Sequence, residues 1–325
     1  MDALSELLRV VKLSGAMFFN AECSAPWCVR SPPSVALKEC MALPTSHVIE
    51  FHLIAAGRGY IRVGEETTPL CAGDFVMLPH GDAHTMGNGF GAQIIDGTDR
   101  VSEFLAGGLA LSQLGGGGEA TRLICGFLAC DARLIAPVLA GLPHVLRVNI
   151  RSDPAGELLE SMVRHAVDQV AGASPGSDII VARLAEVLFA EVLRRYVAQL
   201  PPGRVGWLAG SADPAVGRAL AALHERPAHA WTIELLAQEA GLSRSALTER
   251  FARYLEQGPM AYLADWRLEL AAESLRSTSR SVLQIAGEVG YESEAAFNRA
   301  FKRRFAMPPG RYRAQSRVTS CRAQT

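Results

Sequence analysis

The sequence predicts an α+β multidomain chain: a small β-barrel or sandwich first, helices behind it, and an all-α domain with two helix-turn-helix units last. Three observations predict this order. Residues 45–90 are short apolar runs cut by Gly and Pro at regular intervals. From Asp131 onward the apolar residues recur every three or four positions. Near the C-terminus a helix, a glycine turn, a serine and a second helix occur twice, at an offset of 49 residues up to the glycine and 50 after it.

The length of 325 residues suits two or three domains, and 49% hydrophobic residues suffice for real cores. No apolar run approaches the ~20 residues of a membrane span, so no membrane partner is expected. The N-terminal "MDALSELLRVVK" lacks a signal-peptide layout, which predicts a cytoplasmic location. Cysteines at 23, 28, 40, 71, 125, 130 and 321 are odd in number and irregular in spacing. They argue against a secreted disulfide scaffold. From Asp213 onward there are 16 Lys+Arg and 12 Asp+Glu, a net of +4, which leaves −5 for the remainder. A basic part joined to an acidic one fits a nucleic-acid-binding domain beside a separate domain that avoids nucleic acid.

The strand-like region "HVIEFHLIAAGRGYIRVGEETTPLCAGDFVMLPHGDAHTM" is followed by a glycine-rich loop at 114–120 and a further strand, "TRLICGFLAC". "AGELLESMVRHAVDQVAG" and "IIVARLAEVLFAEVLRRYVAQL" carry the helical period. Residues 201–212 read as a linker by composition.

In the basic part, Ile233, Leu236, Ala237 and Ala240 lie on one helical face and Gly241 follows; Val282, Ile285, Ala286 and Val289 precede Gly290 in the same way. Ser243 and Ser293 are placed to cap the next helices. Those helices bury Leu247/Phe251 and Phe297/Phe301. This is helix-turn-helix grammar, in which the second helix enters the major groove. The exposed candidates are Arg244, Ser245, Thr248 and Glu249 in the first unit, and Glu294, Asn298, Arg299, Lys302 and Arg303 in the second. Asn298 and Arg299 are placed for base edges; Lys302 and Arg303, with Arg304, are placed for phosphates. The competing reading is a helical bundle with solvated charges. Two matching units in the basic part favour double-stranded DNA as the partner.

"TIELLAQEAGLSRSALTERF" and "SVLQIAGEVGYESEAAFNRAFKRRFAMPPGRYR" resemble the DNA-binding domain of AraC/XylS-type transcriptional regulators, over residues 213–315. The resemblance implies two units joined by the long helix "MAYLADWRLELAAESL", entering successive major grooves. Glu256 departs from the pattern, because a glycine is usual there. Glu249 suits a cytosine amine rather than a phosphate, and Arg244 a phosphate or a guanine.

Residues 1–200 resemble the cupin-type sensor domains that precede this DNA-binding domain in one branch of the family, nearest to regulators that respond to reactive chlorine. Gly73, Asp74, Pro79 and His84 reproduce the second cupin signature. His47, Glu50 and His52 do not keep the spacing of the first, which argues against the iron site of cupin enzymes. The resemblance implies a cupin-like barrel over 1–130, a helical dimerisation segment over 131–200 and hence a homodimer. It also implies promoter DNA and RNA polymerase as partners, with activation as the commoner outcome, and no catalysis.

Cys23, His52, His84 and Cys125 offer two thiols and two imidazoles. They are read as a tetrahedral site for zinc or another transition metal, or as a redox-sensing pair Cys23/Cys125 activated by imidazolium. Cys23 is expected on an N-terminal arm, and a sulfenic acid or a Cys23–Cys125 disulfide is the expected product. His47 and His80 are second-rank ligands, and the other five cysteines are expected to be packing or incidental thiols. The alternatives are a buried core histidine pair beside a small hydrophobic cysteine, a ligand-sensing regulator without redox chemistry, and a metal-dependent cupin enzyme.

Overall fold

Alternating and continuous apolar strands build the first half of the chain, and amphipathic helices the second. The computed structural model describes residues 2–11, 13–41, 43, 45–97, 111–172 and 174–322; the side chains of Cys40 and Cys321 lie outside the described set. In chain order the elements are α1 (Ala3–Val10), β1 (Ser14–Ser24), β2 (Trp27–Ser31), α2 (Ser34–Cys40), β3 (His47–Ala56), β4 (Arg58–Val63), β5 (Glu66–Cys71), β6 (Asp74–Leu78), β7 (His84–Asn88), β8 (Ile94–Asp96), β9 (Ser112–Gly115) and β10 (Ala120–Cys130). Then come α3 (Ala132–Leu139), β11 (Leu146–Asn149), α4 (Pro154–Ala171) and α5 (Ser177–Ala198). The remainder is helical: α6 (Trp207–Ala212), α7 (Pro214–Glu225), α8 (Ile233–Ala240), α9 (Arg244–Leu255), α10 (Pro259–Ser277), α11 (Val282–Glu288), α12 (Glu294–Phe305) and α13 (Pro309–Arg322).

Two compact units result. One comprises 12–131 and 142–199 and holds every described strand. Its sheets run β11-β6-β3-β10-β1-β9 and β5-β4-β7-β2-β8. They share an interior of Phe19, Trp27, Ile54, Ile61, Val76, Met86, Leu123 and their neighbours. Helix α5 lies on β1. There a Cβ at Gly15 would stand 2.7 Å from Ala185 Cβ, so glycine is what lets strand and helix approach. Cys28 and Cys130 are buried thiols of this unit, and Cys71 is exposed.

The other unit is all-helical and is drawn from three parts of the sequence, 1–11, 132–141 and 200–325. Helix α1 is capped by Asp2, whose side chain accepts from Ser5 N. It buries Ala3, Glu6 and Leu7 and packs on α7. Helix α3 buries Leu134, Ile135, Val138 and Leu139 and packs on α6 and α10. The segment read as a linker contains α6, with Trp207 and Leu208 buried; the Trp207 indole donates to Tyr262 Oη at 2.8 Å. A tryptophan with its N–H satisfied inside the core belongs to the folded unit, and composition alone does not reveal that.

Candidate functional site

The two C-terminal helix pairs follow the spacing of the sequence closely. Thr232 caps α8, Gly241 ends it at φ 69, and Ser243 caps α9 by accepting from Ala246 N. Ser281 and Gln284 form a capping box on α11, Gly290 turns at φ 85, and Ser293 caps α12 by accepting from Ala296 N. A left-handed residue at each turn is cheap only for glycine. Both second helices end instead on non-glycine residues in that region, Glu256 at φ 57 and Ala306 at φ 58. Leu247, Phe251, Phe297 and Phe301 are buried as expected. The second pair packs on α10 through Leu268, Ala271, Ala272 and Leu275.

The opposite faces carry the candidate contacts. Glu294, Arg299, Lys302 and Arg303 are exposed on α12 and Asn298 is half-buried. Glu294, Asn298, Arg299 and Lys302 line one shallow depression with Val282, Pro308, Pro309 and Gly310. Arg304 turns away from that face, with Nη2 on Glu269 Oε1 at 2.9 Å, so its expected phosphate role does not fit this geometry. On α9, Ser245, Thr248 and Glu249 are exposed. Thr248 Oγ1 donates to the Arg244 carbonyl at 2.9 Å, and Arg244 Nη1 donates to Glu234 Oε1 at 2.8 Å. Arg244 must therefore leave an exposed ion pair to meet DNA.

Inside the barrel, register decides the chemistry. In the antiparallel pair β3–β10, Cys125 stands directly opposite His52. Its Sγ lies 2.9 Å from His52 Nδ1. His84, the first residue of β7 in the facing sheet, brings Nε2 to 2.8 Å from His52 Nε2. His84 Nδ1 donates to the Asp82 carbonyl at 3.1 Å, because a carbonyl can only accept. His84 Nε2 then carries the lone pair, His52 Nε2–H donates to it, and His52 Nδ1 accepts from the Cys125 thiol. The result is a directed chain from thiol through two imidazoles to a backbone carbonyl. Burial pushes His84 down to about 4 and His52 well below the usual histidine range, so both rings are neutral at pH 7.

Glu50 completes the cluster. Its carboxyl and the two imidazoles offer donor atoms all within 4.8 Å of one another. Burial pushes Glu50 up to about 7, and Ser34 Oγ donates to it at 2.7 Å. The cluster lines a cavity of ≈ 50 Å³ whose other walls include Phe19, Trp27, Val29, Leu37, Met86 and Leu123. Sequence spacing set Glu50 aside, yet Glu50 and His52 are two apart on one strand and so share a face. That alternation was the signal available for it.

The remaining candidates fall elsewhere. Cys23 is in the middle of the sheet on β1, fully buried, and not on an arm. Burial pushes its thiol up to about 12 and Cys125 also upward, against the lowered values expected of reactive thiolates. Cys23 pairs with Thr121 and Cys125 with Phe19, four residues apart along β10. That is about 13 Å of strand, whereas a disulfide needs Cα atoms within about 7 Å. The expected Cys23–Cys125 disulfide does not fit this register. Nor do the four groups form one tetrahedral set: Cys125 meets His52 at Nδ1, across the ring from the Nε2 that faces His84. His47 Nε2 sits on the Pro79 carbonyl at 2.7 Å and His80 Nε2 on the Leu142 carbonyl at 3.0 Å, both away from the cluster.

Comparison with known proteins matches these two constructions separately. A cupin family model matches residues 2–198, and a helix-turn-helix domain model matches 236–315. An AraC-like transcription regulator of Streptomyces lividans is 33% identical over 316 residues, covering 96% of this chain and 98% of that protein. The chain belongs to the AraC-like family of transcription regulators. The HTH-type transcriptional regulator AlkR of Acinetobacter baylyi is 30% identical, covering 97% of this chain and 100% of that protein. The RCS-specific HTH-type transcriptional activator RclR of Escherichia coli is 28% identical, covering 98% and 99%.

As an AraC-like regulator the chain binds double-stranded DNA through its C-terminal helix-turn-helix domain. Arg299→Ala is expected to cost about 1–3 kcal/mol of binding and to relax preference at one base position. Lys302→Ala is expected instead to weaken all sequences alike and to reduce the salt slope by about one. Titration of duplexes varied one base pair at a time, at two salt concentrations, separates the two. A uniform loss for Arg299→Ala makes it a phosphate contact.

Proposed function

We propose that this AraC-like regulator activates transcription in response to an oxidant or electrophile read inside its barrel, at a transition-metal site held by Glu50, His52 and His84. The observation that carries this reading is the convergence of the carboxyl and the two imidazoles on one buried point. The donor set suits such an ion. Each imidazole has its Nδ1 partnered, His84 by the Asp82 carbonyl and His52 by Cys125, which leaves both Nε2 atoms for a cation once His52 changes tautomer. Two nitrogens and a carboxylate with an open position suit zinc or a similar divalent ion. Bound there, the ion would supply positive charge beside a thiol that burial otherwise keeps neutral.

Cys125 is then the partner that orients His52, not a metal ligand, and its oxidation is the signal. With hypochlorous acid the sulfur takes up oxygen and gives two electrons to chlorine. Chlorine leaves as chloride together with the thiol proton, and a sulfenic acid remains. The added oxygen removes the contact that holds His52. The RCS-specific activity in the name of RclR supports this choice of oxidant. The exposed apolar side chains Leu158 and Met162 on α4 and Ile179, Ile180 and Val187 on α5 support a homodimer. RNA polymerase is the partner that activation requires, and a cytoplasmic regulator has access to both it and DNA. Among the described residues no helix is long and apolar enough to cross a membrane.

Elemental analysis of the purified chain is expected to find a transition metal in stoichiometric amount. His84→Ala should lose it. Cys125→Ser should keep it and lose the transcriptional response to hypochlorous acid. A wild-type chain that can be neither purified with metal nor loaded with it sinks the metal reading. If Cys125→Ser also responds in full, a small ligand in the same apolar cavity becomes the better reading.

A further inference from the structure

The helix-turn-helix sequence holds most of what positions α12, but not all of it. The corner between α12 and α13 is built from three rings: Phe305 lies 4.4 Å from Phe301, and Tyr312 lies 5.3 Å from Phe301 and 5.4 Å from Phe305. Arg133 of α3 sits on this corner. Its guanidinium is 5.4 Å above the Phe305 ring centroid and 5.3 Å above that of Tyr312, and its Nη1 donates to Tyr312 Oη. Arg276 of α10 donates to the same oxygen from Nη1 at 2.8 Å. The Tyr312 phenol oxygen is thus the point where α3, α10 and α13 meet. Phe305 is the last residue of α12, so what holds its ring also holds the end of the helix that presents Arg299 and Lys302.

We infer that Arg133 is a positioning residue for DNA reading: by clamping Phe305 and Tyr312 it sets the pose of the second recognition helix, from a position 103 residues before the helix-turn-helix match begins at 236. Helix α3 can do this because its own place is fixed by four buried apolar side chains against α6 and α10. A planar cation over two rings fixes direction as well as distance. The helix also starts two residues after β10 ends and seven after Cys125.

The test uses the full chain and a duplex selected from a random-sequence pool by the wild-type protein. The half-site read by α12 is identified as the one whose base preference relaxes in Arg299→Ala. Arg133→Ala is expected to weaken binding to the intact duplex about threefold to tenfold. The loss should vanish on a duplex whose α12 half-site is scrambled and persist on one whose other half-site is scrambled. Arg133→Lys, which keeps the charge over the rings, should recover part of the loss. In a Tyr312→Phe background Arg133→Ala should cost less than alone, because the shared acceptor is gone. Equal loss on both scrambled duplexes, or no loss on the intact one, overturns the inference. If Arg133→Ala lowers the melting temperature enough to confuse binding with folding, Arg133→Lys and Tyr312→Phe on the same three duplexes decide it by the same criterion.

Discussion

Phe297→Ala is expected to destabilise the DNA-binding unit by about 2–5 kcal/mol. Phe297 is fully buried, 5.4 Å from the Tyr291 ring and 5.5 Å from Phe301, in a cluster shared by α10, α11, α12 and α13. Removing the ring leaves a cavity that fixed helices close only in part. A loss of that size is a large share of a small domain's stability. Leu247→Ala is expected to act alike on the first pair, where Leu247 is fully buried. Urea unfolding followed by helical circular dichroism measures both. A variant with unchanged unfolding and lost DNA binding would move its residue from core to interface and break the repeat.

Acid should unfold the same unit through His224. This ring is stacked 4.4 Å from Trp266, 5.8 Å from Tyr262 and 5.9 Å from Trp207. Its Nε2 shares a hydrogen bond with Tyr262 Oη at 2.7 Å, while its buried Nδ1 has no hydrogen-bond partner among the described residues. Burial pushes its pKa down to about 3, from an ordinary 6.5 in the unfolded chain. Above pH 6.5 neither state binds the proton and the ring adds no pH dependence. As pH falls from 6.5 towards 3, the unfolded chain takes up the proton and the folded one does not. Stability is therefore lost at up to about 1.4 kcal/mol per pH unit. His224→Phe should remove that component. Urea midpoints at pH 7 and pH 4.5, read by tryptophan fluorescence, should fall further in the wild type than in the variant. Parallel falls would show that other groups carry the acid sensitivity.

The helix-turn-helix pairs were legible because everything that makes them is local. Leu236 and Ala240, Gly241 and Ser243 lie within a few residues of one another, and caps, turns and apolar periodicity act at that range. The strands were legible for the same reason, and their closure as a cupin-like barrel came from the resemblance. The barrel's site was legible only in part. His52 and His84 were named and are in contact; Glu50 was set aside on spacing although strand alternation puts it beside His52. Cys23 and Cys125 both fall within pieces that match the family's sensor domain, and nothing in those pieces states how far apart the two thiols stand. A sequence states that two strands alternate, but not which residue of one stands opposite which residue of the other.

By itself, then, the sequence determined the family, the two helix-turn-helix units, the face of α12 that carries Asn298 and Arg299, and a barrel lined by His52 and His84. The family and the barrel follow from the resemblance of the quoted motifs; the helix-turn-helix units and the exposed face of α12 follow from periodicity, capping and glycine placement, which the neighbouring residues impose directly. Only the tertiary structure decided that Cys125 meets His52 and Cys23 does not, since β-register is set by packing between strands about seventy residues apart in sequence. It alone assigned α1 and α3 to the DNA-binding unit. An amphipathic helix announces that one face will be buried; the hydrophobic effect is non-directional, so its partner is chosen by shape complementarity across the whole chain.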